Sequence, residues 1–151
     1  MRSIRGSSRR ALLVAALLAA MMARSDRAAA DGALAVGEPK DVAEEGFAYG
    51  FALDQPTSEK AGADALSDCK TESPGVDPRA QALCGVVQTF RNKCFAVAMD
   101  PADATPGVGW AIEDDKDIAQ QAALARCAAT AGEGRRAACE VTHSGCDGSA
   151  Q

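Results

Sequence analysis

Six cysteines constrain this chain more than any other feature of its sequence. They are Cys69, Cys84, Cys94, Cys127, Cys139 and Cys146. Their even number, and the absence of any CxxC pair, predict three disulfides formed in an oxidising compartment rather than a zinc site. The chain needs such cross-links because alanine is its commonest apolar residue, and alanine buries little area.

The first thirty residues have the pattern of a secretory leader. Four arginines within residues 2–10 precede an unbroken apolar stretch of 13 residues, 11–23, and three alanines occupy 28–30. We therefore predict a signal peptide over 1–30, cleavage before Asp31, and one secreted domain over 31–151, extracellular or periplasmic. An uncleaved membrane anchor is the alternative, although the apolar stretch is shorter than the ~20 residues that span a bilayer.

The charge of the predicted mature chain indicates which partners to expect. The leader holds six arginines and one aspartate, which leaves ten basic against twenty acidic residues in 31–151, a net charge of −10. Such a surface repels phosphate backbones and anionic lipids. We therefore expect no nucleic acid and no stable membrane association after cleavage.

The chain also matches itself. Gly50-Phe51-Ala52 and a helix-like stretch ending at Cys69 correspond to Gly109-Trp110-Ala111 and a stretch ending at Cys127. The separation from the glycine to the cysteine is 19 residues in the first copy and 18 in the second. Two further cysteines follow in each copy. The series predicts a duplicated unit, with repeat 1 over about 33–94 and repeat 2 over about 95–146.

Residue periodicity gives the elements of each repeat. Alternating apolar residues predict strands at 34–36, 47–51, 95–99 and 108–112, and β-prone runs follow at 84–90 and 139–143. Helical spacing precedes Cys69 and Cys127, with Thr57 and either Asp114 or Asp115 as N-caps. The predicted fold is α+β: a small disulfide-stapled domain from a duplicated β-β-α-β unit, mainly antiparallel sheet with two helices.

Several of these segments resemble a known family. They are Tyr49-Gly50-Phe51-Ala52, Ala65-Leu66-Ser67-Asp68-Cys69, Cys84-Gly85-Val86-Val87, and the run from Phe90 through Asn92 and Cys94 to Ala98. In this order they resemble the bacterial secreted family known as domain of unknown function 4189, over roughly residues 46–146. The resemblance implies export and a disulfide-linked fold, and it implies no activity.

No residue set predicts a catalytic, cofactor or metal site. The acidic run 113–117 lacks the spacing of a calcium loop, and we interpret it as the capped start of the second helix. His143, the only histidine, is expected to be a surface or hydrogen-bonded residue rather than a general base. No phosphate-binding glycine loop or nucleophile motif occurs.

Two features are candidate contact surfaces. The aromatic residues Tyr49, Phe51 and Trp110 could form an exposed platform, but in an alanine-rich domain they are expected in the core. The loop 70–83 lies between two cysteines, and loops held at both ends often carry recognition. We therefore hypothesise a secreted non-enzymatic interaction module, inhibitor-like or effector-like, with a protein partner outside the cytoplasm. The alternatives are a carboxylate-dependent cell-wall or glycan hydrolase and a structural envelope protein.

The disulfide pairing can be predicted from the repeat and from which cysteines the chain can bring close together. Exchange of the two copies should leave the pairing unchanged, which reduces the 15 possible pairings. The end of each helix should lie beside the start of the following strand, which predicts Cys69–Cys84 and Cys127–Cys139. Cys94–Cys146 remains, and we expect it to join equivalent positions of the two copies.

Overall fold

The computed structural model describes residues 30–71 and 76–151, so the predicted signal peptide lies almost wholly outside the described residues. Six strands and four helices make up this part. The strands are β1 (Asp31–Gly37), β2 (Ala48–Gln55), β3 (Gly85–Phe90), β4 (Cys94–Met99), β5 (Val108–Glu113) and β6 (Glu140–Cys146). The helices are α1 (Val42–Glu45), α2 (Ser58–Thr71), α3 (Pro78–Ala82) and α4 (Lys116–Thr130), and a 3-10 turn covers Arg136–Ala138.

The strands form two separate three-stranded sheets. Their orders are β2-β1-β3 and β5-β4-β6, and every described pairing is antiparallel. We name residues 31–90 the N-terminal unit and residues 94–146 the C-terminal unit. Each unit runs strand, strand, long helix, strand, which is the predicted β-β-α-β order. The fold is a small α+β domain held by disulfides, as predicted, and its six strands form two sheets. Duplication as the origin of the units stays a prediction.

The alternation of small and bulky residues along the central strands explains the layers. In β1, Ala33 and Ala35 pack with the alanines of α2, whereas Leu34 and Val36 pack in the cluster between the sheets. In β4 the alanines likewise face α4, and Phe95 and Val97 face the other sheet. The order of layers is therefore helix, sheet, sheet, helix. Small residues occupy the two outer interfaces, and bulky residues fill the central one.

Two equivalent glycines bring each helix close to its sheet. A Cβ atom at Gly50 would lie 2.1 Å from the backbone nitrogen of Cys69. One at Gly109 would lie 2.4 Å from the carbonyl oxygen of Ala123. Neither position has room for a side chain, so the glycine of the Gly-aromatic-Ala pattern is a packing requirement.

The long helices begin at the expected caps. Thr57 Oγ1 accepts a hydrogen bond of 3.2 Å from the backbone N–H of Lys60. At α4 the cap is Asp115, which accepts from the N–H groups of Asp117 at 2.8 Å and Ile118 at 3.1 Å. The loop 70–83 is more regular than expected, because Asp77 caps the short helix α3 within it.

The three disulfides join the predicted pairs: Cys69–Cys84, Cys94–Cys146 and Cys127–Cys139. The reason given for Cys94–Cys146 was wrong. Cys94 is the first residue of β4 and pairs across the sheet with Cys146, the last residue of β6. The bond therefore lies within the C-terminal unit instead of joining the two units, and Cys94 begins the C-terminal unit.

Candidate acidic cleft between the units

A cleft of about 900 Å³ lies at one end of the molecule, where β1 and β4 end. The connection from β1 to β2 and the segment Val76–Pro78 line one side. The connection from β4 to β5 and the first residues of β6 line the other side. The cleft therefore lies at the seam of the two units, and its volume is in the range of ligand-binding pockets.

The inner wall of the cleft is apolar. Phe47 and Val108 are almost fully buried beneath it and belong to the cluster between the sheets. Val42, Met99 and Val141 are half-buried and line the opening. An apolar group that enters the cleft would therefore meet hydrocarbon continuous with the core.

The rim of the cleft is strongly acidic. Six carboxylates line it: Glu44, Glu45, Asp77, Asp100, Asp103 and Glu140. No lysine, arginine or histidine is among the lining residues of the described chain. The cleft thus concentrates negative charge against a low-dielectric wall, which strengthens its field.

Asp100 is the most deeply placed of these carboxylates. Its side chain is fully buried and binds the guanidinium of Arg135 through both oxygens, with Arg135 Nη2 2.5 Å from Oδ1. The Arg135 hydrogen bond lowers the pKa of Asp100, against the opposing effect of burial, and the same contact raises the pKa of Arg135. This pair fixes the loop after β4 to the segment before β6.

A second arginine neutralises the other side of the rim. Arg79 Nη2 lies 3.1 Å from Asp77 Oδ2, and Arg79 Nη1 lies 3.4 Å from Glu45 Oε1. The hydrogen bond from Arg79 lowers the pKa of Asp77, and Asp77 raises the pKa of Arg79. Arg79 therefore connects α3 to α1 across the edge of the cleft.

Three rim carboxylates have no such partner. Glu44, Asp103 and Glu140 are exposed, and none has a lysine or arginine nitrogen within 4 Å among the described residues. Glu44 lies in α1, Asp103 lies in the β4–β5 connection, and Glu140 begins β6. The cleft thus combines three carboxylates that form an ion pair with three that do not, although Arg79 also interacts electrostatically with Glu44.

The structure places His143 outside the cleft. It is an exposed residue of β6, and its Nδ1 lies 2.6 Å from the hydroxyl of Tyr49 on β2. The ring of Phe51 also contacts it, with centroids 5.6 Å apart. Burial, followed by the negative charge of Asp68, raises the pKa of Tyr49. His143 is thus hydrogen-bonded, as the sequence suggested, and it joins the edges of the two sheets.

The predicted aromatic set belongs to the interface between the sheets. Tyr49, Phe51 and Trp110 are half-buried and pack against the central cluster. Phe51 stacks obliquely on Phe95 with a centroid distance of 4.6 Å, and the guanidinium of Arg126 lies 5.5 Å from the Trp110 ring. The expectation of a core role is met, and these residues form no separate platform.

The acidic run 113–117 caps α4 through Asp115, as interpreted from the sequence. Within residues 30–71 and 76–151 no group of three or more His, Cys, Asp or Glu residues could hold a metal ion. No described helix is long and apolar enough to cross a bilayer.

The sequence reasoning missed the cleft. Its residues come mainly from three connections and the start of β6, and each connection resembles an ordinary polar loop. The loop 70–83, predicted as a contact surface, does contribute Val76, Asp77 and Pro78. One signal was available: the β1–β2 and β4–β5 connections occupy equivalent places in the two units, and both contain carboxylates.

No functionally curated protein and no solved structure shows a significant match to this chain. A family model does match, over residues 32–146, which is well over half of the chain and covers both units. The match includes all six cysteines and all of the described strands except Asp31, the first residue of β1. The chain therefore belongs to the family described as Domain of unknown function (DUF4189).

Proposed function

We propose that this protein is an exported, non-enzymatic interaction module that binds a partner protein outside the cytoplasm through the cleft. The observation that carries the proposal is the cleft itself, which is lined by both units and combines an apolar wall with an acidic rim. Such a combination suits recognition, because the apolar wall supplies binding energy and the charged rim supplies selectivity.

Two disulfides make the cleft suitable for this role. Cys69–Cys84 closes the segment that carries Val76–Pro78, and Cys127–Cys139 ends one residue before Glu140. Two of the segments that line the cleft are therefore restrained before any ligand arrives. Restraint of this kind lowers the conformational entropy that binding would otherwise cost.

Export is the second part of the proposal. Three disulfides fit an oxidising, non-cytoplasmic compartment. β1 begins at Asp31, the residue that follows the proposed cleavage site. Processing there would leave the first strand of the domain intact.

Hydrolysis of glycans or cell-wall material is the less supported alternative. Such enzymes need one carboxyl group with a raised pKa as general acid. At this cleft Arg79 and Arg135 lower the pKa values of Asp77 and Asp100, the opposite direction. A structural envelope protein is the other alternative, and no feature of the cleft favours it.

Photo-crosslinking in the producing cells tests the proposal. A photoreactive amino acid replaces Ala102, an exposed alanine that lines the cleft, in the full chain with its leader. The matched control carries the same group at Ala125, an exposed alanine on α4 that is not a lining residue. We expect a discrete adduct with an extracytoplasmic protein only from position 102. Identical adducts from both positions, or none, would count against the proposal.

A further inference from the structure

We propose that the segment bound in the cleft is a cationic, amphipathic peptide in which arginine or lysine side chains alternate with apolar ones. This inference rests on the proposed function and specifies its ligand. The basic groups would bind Glu44, Asp103 and Glu140, and the apolar side chains would lie against Val42, Met99 and Val141. All six residues line the same cleft.

The charge of the cleft selects a cation. The described lining contains six carboxylates and no basic residue, and only three of the carboxylates form an ion pair. An anionic segment would meet like charges on both units. A cationic one relieves that repulsion and is steered from a distance by the surrounding negative field.

The apolar wall distinguishes a peptide from a simple cation. Half-buried hydrocarbon of both units faces the opening and continues into the central core. A metal ion or a polyamine would leave this wall exposed to water, whereas a leucine-sized side chain would cover it. In addition, the described residues contain no group suited to hold a metal ion.

The rim itself shows how guanidinium groups would bind. Arg135 binds both oxygens of Asp100, and Arg79 bridges Asp77 and Glu45. Both are hydrogen-bonded ion pairs of the type that arginine forms best with carboxylates. Arginines of a partner would continue this pattern along the three carboxylates that lack one.

The test uses a fluorescent five-residue peptide that alternates arginine and leucine, with fluorescence anisotropy as the measurement. The protein is the exported, oxidised form. The cleft variant is Glu44→Gln with Asp103→Asn and Glu140→Gln. The matched control is Glu59→Gln with Asp117→Asn and Glu133→Gln, which removes the same charge from exposed positions that are not lining residues.

We expect the cleft variant to bind at least tenfold more weakly than the parent, and the control to stay within twofold. Replacement of both leucines by serine should weaken binding several-fold, and so should a rise in salt from 50 to 200 mM. Thr142→Arg, which places a guanidinium at the exposed wall of the cleft, gives an independent variant with the same expected loss.

Equal losses in the cleft variant and the control would overturn the inference, because general surface charge would then explain binding. If replacement of the leucines leaves the affinity unchanged, the peptide is not bound through apolar side chains and the amphipathic part of the inference is wrong. If the peptide does not bind while Ala102 still crosslinks to a protein, the ligand class is wrong and the interaction module stands. If neither binds, both proposals fail.

Discussion

The two units link the same end of their central strand to the third strand in different ways. The strand registers make Asp31 equivalent to Cys94, and Arg91 equivalent to Cys146. The C-terminal unit joins its pair by a disulfide. The N-terminal unit joins its pair by an ion pair, with Arg91 Nε 2.6 Å from Asp31 Oδ1 and Nη2 2.9 Å from Oδ2. One structural need is thus met by a covalent bond in one unit and by charge in the other.

The neighbouring positions show the same need met by exchanged residues. In the N-terminal unit Phe90 packs over Gly32, and in the C-terminal unit Phe95 packs over Gly145. These residues are cross-strand partners in each sheet, and the aromatic ring lies on the third strand in the N-terminal unit and on the central strand in the C-terminal unit. The same space is thus filled in both units, from opposite strands.

The largest expected effect comes from removing the covalent closure. Cys94→Ser with Cys146→Ser should lower the free energy of unfolding by about 4 kcal/mol, because the bond closes a loop of 52 residues. Cys127→Ser with Cys139→Ser, across 12 residues, should cost about 3 kcal/mol. Chemical denaturation of the oxidised proteins measures both. Equal or reversed losses would show that loop length does not set the contributions of these two disulfides.

The close approach of the helices gives the next largest effect. Gly50→Ala should destabilise the protein by about 3 kcal/mol, because the added methyl group would meet the backbone of α2 at 2.1–2.5 Å. Gly109→Ala should behave similarly against α4. Thermal unfolding of both variants measures the effect. A loss confined to one of them would show that the two helix–sheet interfaces differ.

The ion pair makes the N-terminal unit sensitive to acid. Hydrogen bonds from Arg91 lower the pKa of Asp31 below its ordinary value of 3.8. Its stabilising contribution is therefore complete above about pH 4, the unfolded-state range, and is lost as the pH falls through the lower folded-state value. Amide exchange should show the ends of β1 and β3 beside Asp31 losing protection on acidification before the equivalent ends of β4 and β6 do, because Cys94–Cys146 holds those.

Asp31→Asn is the control for this prediction. It should reduce protection of β1 and β3 at neutral pH and flatten its dependence on pH below 4. Unchanged amide exchange in the variant would indicate that the ion pair does not hold these ends of β1 and β3 together.

The pairing of cysteines could be predicted from the sequence because it depends on local order, in which a helix end precedes a strand start. The role of Cys94–Cys146 could not be predicted, because the N-terminal unit has Asp31, not cysteine, at the position equivalent to Cys94. The sequence therefore favoured Cys94 as the end of the first repeat.

The cleft and the separation into two sheets were also beyond the sequence. The alternation of Ala33 and Ala35 with Leu34 and Val36 indicates a strand with two packed faces, but it does not say which element covers each face. The cleft also depends on which faces pack together, since Glu44, Asp103 and Glu140 line one cleft only after the two sheets have packed.

The smallest expected effect concerns the outer face of β3. At equivalent helix positions, α4 has Gln120, which donates a hydrogen bond of 2.9 Å to Ser144 on β6, whereas α2 has Gly62. A Cβ atom at Gly62 would lie 3.7 Å from Val86, an ordinary contact. Gly62→Ala should therefore raise the free energy of unfolding by about 1 kcal/mol, through helix propensity. Gln120→Ala should lower it by about 0.5 kcal/mol, since the lost hydrogen bond outweighs the gain in propensity. Urea denaturation of both variants measures this, and a destabilised Gly62→Ala protein would show that the space beside Val86 is already filled.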